Sequence, residues 1–138
     1  MPQEKKGFTL IELLVVIAII GILVVFLVPN LIGVQDRGKE AGVKAVMHSV
    51  QLALEAYNME NLTYPVASST PLESLCKNYL MEGGYIASVP KNPFTGKSYT
   101  DADVAGKIVY SFDDGTGVYT LTGYKRDGIK KLLELSNM

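Results

Sequence analysis

The chain of 138 residues carries 13 basic and 14 acidic side chains, so its formal net charge is −1. This length suggests one folded domain with appended segments, and the balanced charge excludes the strong basic excess typical of nucleic-acid-binding proteins. The one cysteine, Cys76, allows no intrachain disulfide, and with the one histidine, His48, it gives no zinc site. We find no nucleophile paired with a base and no phosphate-binding loop, so we expect no enzyme.

The first predicted element is an apolar helix that crosses a membrane. Residues 13–28 contain only Leu, Val, Ile, Ala, Phe and Gly, and no charged residue occurs from Leu13 to Gln35. About 20 such residues span the hydrocarbon core of a bilayer. A secretory signal peptide has a shorter apolar core and then a small-residue cleavage site, which this sequence lacks. Lys5 and Lys6 precede the run, so the positive-inside rule places the amino end in the cytoplasm.

A single carboxylate, Glu12, stands at the head of this run. Burying a carboxylate in a membrane helix costs roughly 2.5–3.5 kcal/mol at the bilayer centre and less near its edge. The segment itself offers no partner, so we expect one from another chain or from a chain terminus. The alternative is a single-pass anchor for a sensor or binding domain, with Glu12 reaching to the interface.

The residues around Glu12 resemble the processing motif of type IV prepilins and type II secretion pseudopilins, since they read Gly7-Phe8-Thr9-Leu10-Ile11-Glu12 ahead of the apolar run. In that family a membrane peptidase cuts after the glycine, and the new amino terminus is N-methylated. The resemblance implies a leader of residues 1–7, cleavage between Gly7 and Phe8, and methylation of Phe8. It also assigns Glu12 and Thr9 to assembly, in which the amino group of one subunit meets Glu12 of its neighbour.

The resemblance implies a structural subunit of a filament. The implied partners are copies of the chain itself, the prepilin peptidase and methyltransferase, an inner-membrane assembly platform and, before assembly, the lipid bilayer. The implied location is the inner membrane for the single-pass precursor, and then a filament outside the cytoplasm or at the cell surface. We expect a type IV pilus subunit, with the major pseudopilin of a type II secretion system as the alternative. Asn92 and Phe94 weigh against the secretion branch, because they stand where pseudopilins carry aspartate and tryptophan.

The long helix is predicted to have two halves. Pro29 removes a backbone donor and predicts a kink. Apolar residues then recur every three or four positions over residues 43–57, which indicates an amphipathic helix stopped before Pro65. We expect residues 8–35 to form the membrane and assembly half, and residues 36–138 to form a globular domain outside the cytoplasm. The expected fold class is α+β and pilin-like, with the long helix packed on a small antiparallel sheet.

The remaining elements are a short helix and a meander. Residues 62–106 read as a loop-rich connector in which Thr70-Pro71-Leu72-Glu73, with threonine as the N-cap, predicts a helix to about Met81. Residues 107–112 and 117–122 predict two strands joined by a turn at Asp114-Gly115. Residues 129–135 fit either a third strand or a short helix.

Calcium is the one cofactor that the sequence raises. The metal takes six to eight oxygen ligands, and the resemblance suggests it, because major pseudopilins bind calcium in their C-terminal loops. Asp113 and Asp114 are the candidates, with Asp101 and Asp103 also of the right type. A solvated hairpin turn explains Asp113 and Asp114 without any cofactor.

Overall fold

The computed structural model describes residues 2–138, which divide into two compact units. One unit ends at Gln35, and the other comprises Asp36–Met138. In chain order the elements are α1 Leu10–Asn61, β1 Thr70–Pro71, α2 Leu72–Leu75 with a π-helical turn Cys76–Leu80 directly after it, β2 Ile108–Asp113, β3 Val118–Tyr124 and β4 Lys131–Ser136. The predicted α+β class, a long amino-terminal helix with a small antiparallel sheet, is confirmed.

The unit that ends at Gln35 consists of a short non-helical segment and the first part of α1, which continues through Pro29 as one helix. It contains a stretch long and apolar enough to cross a membrane, and none of that stretch is buried. Exposed apolar surface on this scale marks a lipid or protein interface, because it is unfavourable in water. The kink expected at Pro29 stays a prediction.

The core of the second unit lies between α1 and the sheet. From Asp36 onward the helix buries one face, made of Val43, Met47, Val50, Ala53 and Leu54. Gly123 on β3 approaches this face so closely that a Cβ atom there would lie 2.4 Å from Sδ of Met47. The helix and the sheet therefore meet at contact distance, and glycine is the residue that permits it.

The sheet is an antiparallel meander in the order β1-β2-β3-β4. Tyr110 on β2 pairs with Leu121 on β3, and Leu121 pairs with Leu135 on β4. The last segment is therefore a strand, which decides between the two alternatives that its apolar spacing left open. Because successive strands are antiparallel, the β2–β3 turn and the β3–β4 turn lie at opposite ends of the sheet.

The helix start predicted at Thr70 is wrong. Thr70 and Pro71 form β1 and pair with Tyr110 and Val109 of β2, so their backbone is extended. The helix begins at Leu72, and its N-cap residue Pro71 makes no side-chain cap hydrogen bond. Thr70 and Pro71 are held by pairing with β2, so Thr70 does not act as a helix cap. The helical segment ends at Leu80, one residue from the predicted end at Met81.

Cys76 lies at the junction of α2 and the π-helical turn and is completely buried. Burial raises the pKa of its thiol to about 11, so only about one molecule in 10,000 carries a thiolate at neutral pH. We therefore expect iodoacetamide to modify Cys76 only after unfolding. Mass spectrometry of the full chain in detergent, treated with the reagent with and without denaturant, measures this. Rapid modification of the folded protein would contradict the burial.

Candidate functional site

The predicted cleavage site lies in an exposed segment just before α1. Residues 2–9 form no helix or strand, and α1 begins at Leu10. Nothing lies within 4 Å of the position that a Cβ atom would occupy at Gly7, and the Phe8 side chain is 86% exposed. The Gly7–Phe8 bond is therefore accessible, and a cut there would remove no residue of the helix.

Thr9 and Glu12 form a reciprocal cap at the start of α1. The backbone N–H and the hydroxyl of Thr9 donate to Oε2 of Glu12 at 2.9 and 3.0 Å. The backbone N–H of Glu12 donates back to Oγ1 of Thr9 at 3.3 Å. This is a capping box, for which Thr-x-x-Glu is the sequence signal. The box was not predicted from the sequence, and the expectation that the segment offers Glu12 no partner is wrong, because Thr9 donates two hydrogen bonds to it.

The capping box leaves the charge of Glu12 without a counter-charge. Both bonds from Thr9 end on Oε2, and Oε1 accepts no hydrogen bond from any residue in the range 2–138. No basic side chain in that range forms an ion pair with the carboxylate. The box fixes the position of the carboxylate at the helix start and leaves one oxygen to accept a cationic group.

Asp113 and Asp114 lie in the β2–β3 turn. The carboxylate of Asp113 accepts a hydrogen bond from the backbone N–H of Gly115 at 3.0 Å, and its carbonyl accepts one from Gly117 at 2.8 Å. Across the described residues, no group of three or more His, Cys, Asp or Glu side chains is placed to hold a metal ion. Two carboxylates fall short of the six to eight oxygens that calcium takes. Calcium binding at Asp113 and Asp114 stays a prediction.

The other two candidate aspartates contact partners of their own. Asp101 accepts hydrogen bonds from the backbone N–H and the hydroxyl of Ser74 at 3.2 and 2.7 Å. Asp103 accepts hydrogen bonds from Asn92 and from Thr100. Partial burial raises the pKa of Asp103, but these hydrogen bonds outweigh it and hold the pKa below its ordinary value. Both aspartates therefore anchor loops of the connector.

Asn92 is the buried polar residue that ties the connector together. Its Nδ2 donates to Oδ2 of Asp103 at 3.0 Å and to the carbonyl of Ala105 at 2.9 Å. Its Oδ1 accepts from the backbone N–H of Phe94 at 2.9 Å. The side chain is completely buried, so these three bonds satisfy the amide where no water reaches it. The amide joins two loops that the sequence separates by about ten residues.

Known proteins resemble this chain both in its amino-terminal segment and in the unit Asp36–Met138. The family model described as the prokaryotic N-terminal methylation motif matches residues 3–28. The type II secretion system core protein G of Klebsiella pneumoniae is 35% identical over 105 residues, which cover 70% of this chain and 74% of the relative. The core protein G of Vibrio cholerae is 35% identical over 104 residues, which cover 70% of this chain and 70% of the relative. No solved structure matches.

A third relative, the core protein G of Escherichia coli K12, is 34% identical over 105 residues, covering 70% of this chain and 71% of the relative. These alignments cover about 70% of the chain, so they include much of the unit Asp36–Met138 and extend well beyond the motif. The chain therefore belongs to the type II secretion system core protein G family, among the proteins that carry the prepilin-type amino-terminal motif.

Proposed function

We propose that the chain is the major pseudopilin of a type II secretion system, a filament subunit processed between Gly7 and Phe8. The observation that carries this proposal is the extent of the alignment to the core protein G relatives. The amino-terminal motif alone is shared by pilus and secretion subunits, whereas about 70% of this chain aligns with secretion proteins. The alternative, a major pseudopilin, is therefore better supported than the expected type IV pilus subunit.

The role of Asn92 removes one argument against the secretion branch. Its departure from the aspartate of pseudopilins counted against that branch in the sequence. The structure gives the asparagine amide three buried hydrogen bonds that hold the connector. These hydrogen bonds explain the asparagine at position 92 in this chain, so its presence does not favour a pilus subunit over a secretion subunit.

The proposed mechanism begins in the inner membrane, with the amino end in the cytoplasm and the unit Asp36–Met138 outside it. The prepilin peptidase removes residues 1–7 and exposes the amino group of Phe8, which is then methylated. Because a methylated secondary amine keeps its positive charge, it is a suitable partner for Oε1 of Glu12 on a neighbouring copy. Thr9 holds that carboxylate through the capping box, which survives the cut because both of its residues remain.

Assembly then covers the apolar surface of the first unit. The large apolar residues from Phe8 to Val34 are exposed in the isolated chain, as expected for a segment covered first by lipid and later by other copies. The charge pair at Glu12 sets how far each copy advances along the next. An inner-membrane platform supplies the place where copies are added.

Deletion of the gene in its native cell tests the assignment to secretion. We expect loss of enzyme export, unchanged long surface fibres, and recovery of export when the gene is returned. The matched control is the gene with Gly7→Glu, in which a charged side chain enters the peptidase cleft and export should not recover. Loss of surface fibres with normal export would contradict the secretion assignment and favour a pilus.

A further inference from the structure

Unit Asp36–Met138 carries an open cleft lined by aromatic and polar side chains at the carboxyl end of α1. Its volume is about 370 Å³, and its walls include Tyr57, Tyr79, Tyr85, Asn61, Asn78 and Glu82. The Tyr57 ring packs edge-on against Tyr79 and Tyr85, with ring centroids 6.5 and 5.5 Å apart. The rings are thus held in place before any ligand arrives. We call this surface the aromatic cleft.

The aromatic cleft is negatively charged. Glu82 lines it and is exposed, and Glu60 accepts a hydrogen bond from the Tyr85 hydroxyl at 2.6 Å at its edge. Neither carboxylate forms an ion pair with a basic side chain in the part of the chain that the structure describes. Aromatic faces and unpaired carboxylates together favour a cation that carries an apolar portion.

The turn between β3 and β4, residues 125–130, has the opposite character, and we call it the basic turn. It carries Lys125, Arg126 and Lys130 against one acid, Asp127. Arg126 contacts Asp36, whereas Lys125 and Lys130 form no ion pair within residues 2–138. Next to Lys130, Ile129 is 81% exposed. The basic turn therefore presents an apolar side chain and a cation side by side.

The basic turn is also rigid enough to dock. The Asp127 carboxylate accepts hydrogen bonds from the backbone N–H groups of Ile129 and Lys130, both at 2.9 Å. Gly128 has a φ of 67°, and a Cβ atom at this position would lie 2.8 Å from the carbonyl oxygen of Val104. The turn is closed by its own carboxylate and held against a neighbouring loop. Little conformational entropy would be lost on binding.

The two surfaces lie at opposite ends of the helix within this unit. Arg126 of the basic turn contacts Asp36, and Tyr85 of the aromatic cleft contacts Glu60. With a rise of 1.5 Å per residue, these two positions on α1 are about 36 Å apart. One copy therefore cannot join its own basic turn to its own cleft. A contact between them requires a second copy.

We propose that the basic turn of one copy docks in the aromatic cleft of another, with Ile129 against the tyrosine rings and Lys130 beside Glu82. This inference rests on the proposed function, because it gives the globular units of the filament a specific contact. A contact between two different surfaces of identical subunits is head-to-tail, and it builds an open fibre when the rotation between successive copies does not close into a ring. Opposite charge at the two ends also selects this pairing over like-to-like contacts.

A charge swap in the full chain tests the contact. Lys130→Glu and Glu82→Lys should each reduce the yield of sheared filament roughly tenfold or more, because like charges then meet at every contact. The double variant K130E/E82K should restore the yield, since the pair is re-formed with its signs exchanged. Lys97→Glu, which reverses an exposed charge outside both surfaces, is the matched control and should assemble normally.

Oxidative cross-linking gives a second readout that does not depend on charge. Cells carrying the chain with both Asn78→Cys and Ile129→Cys should yield a ladder of disulfide-linked multimers, and either substitution alone should not. The native Cys76 does not interfere because it is buried. If the double variant does not restore assembly, a disulfide ladder would still support the contact, and the absence of a ladder would contradict it.

Failure of the contact and failure of the proposed function give different results. If the unmodified chain assembles, both charge reversals assemble equally well and no ladder forms, the contact is wrong and the filament role stands. If the unmodified chain forms no filament in a cell that has the secretion apparatus, the proposed function fails and the contact fails with it.

Discussion

The Glu12→Ala variant is expected to form no filaments while its globular unit stays folded. In the filament the substitution leaves the Phe8 amino group of each neighbour without a counter-charge in an apolar surrounding. Breaking a buried ion pair in this way costs about 3–5 kcal/mol, or more than a hundredfold in each association step. Glu12 lies outside the unit Asp36–Met138, so the thermal unfolding of that unit should not change. Filament yield and near-ultraviolet circular dichroism of the full chain in detergent measure the two effects.

Glu12→Gln separates the charge of this residue from its role in the capping box. The glutamine amide oxygen still accepts hydrogen bonds from Thr9, so the cap is kept and only the charge is lost. We expect Glu12→Gln to fail in assembly as Glu12→Ala does. Thr9→Val, which removes the hydroxyl of the box and keeps the charge, should have the smaller effect. Normal filaments from Glu12→Gln would contradict the charge pairing and leave capping as the function of Glu12.

The second large effect is expected at Asn92. Asn92→Asp replaces the Nδ2 group, which donates to Asp103 and Ala105, by an oxygen that cannot donate. Two carboxylates would then face each other within hydrogen-bonding distance in a buried site. We expect the free energy of unfolding to fall by about 3 kcal/mol, which lowers the Tm of a unit this size by roughly 12–20 °C. Thermal unfolding of the full chain in detergent measures the loss.

The loss should depend on pH in a defined direction. Burial and the facing carboxylate of Asp103 raise the pKa of the introduced carboxyl in the folded state above its unfolded value. The penalty is therefore fully present at neutral pH, fades as the pH falls through the raised folded-state pKa, and is lost below about 4, where the group becomes protonated in the unfolded state as well. Asn78→Asp, at an exposed position, is the control and should show neither effect. A Tm for Asn92→Asp equal to that of the unmodified chain would contradict the role of the buried amide.

Local patterns in the sequence predict much of this fold. The apolar run and the three- and four-residue spacing of Val43, Val46 and Val50 predict α1, because both signals repeat along one element. Alternating residues and the turn at Asp114-Gly115 predict β2 and β3 in the same way. The secondary structure of these elements is determined by residues that are close together in the sequence. Their existence and type follow from the order of residues.

The errors lie where distant residues decide the local structure. Thr70-Pro71 looks like a helix start, but pairing with β2, about 40 residues later, makes it a strand. The bond between Asn92 and Asp103 and the ion pair between Asp36 and Arg126 also join segments that no local pattern connects. The Thr9–Glu12 box is a different case, because its Thr-x-x-Glu signal is local and lies entirely within residues 9–12 of the sequence.

The most direct test of the account is the intact mass of the chain isolated from native membranes and from sheared filaments. Both samples should lack residues 1–7 and carry one added methyl group on the amino terminus at Phe8. Deletion of the prepilin peptidase should return the full-length mass and remove the filaments. A chain that retains residues 1–7 in cells with an active peptidase would contradict the account and favour a membrane-anchored sensor or binding domain.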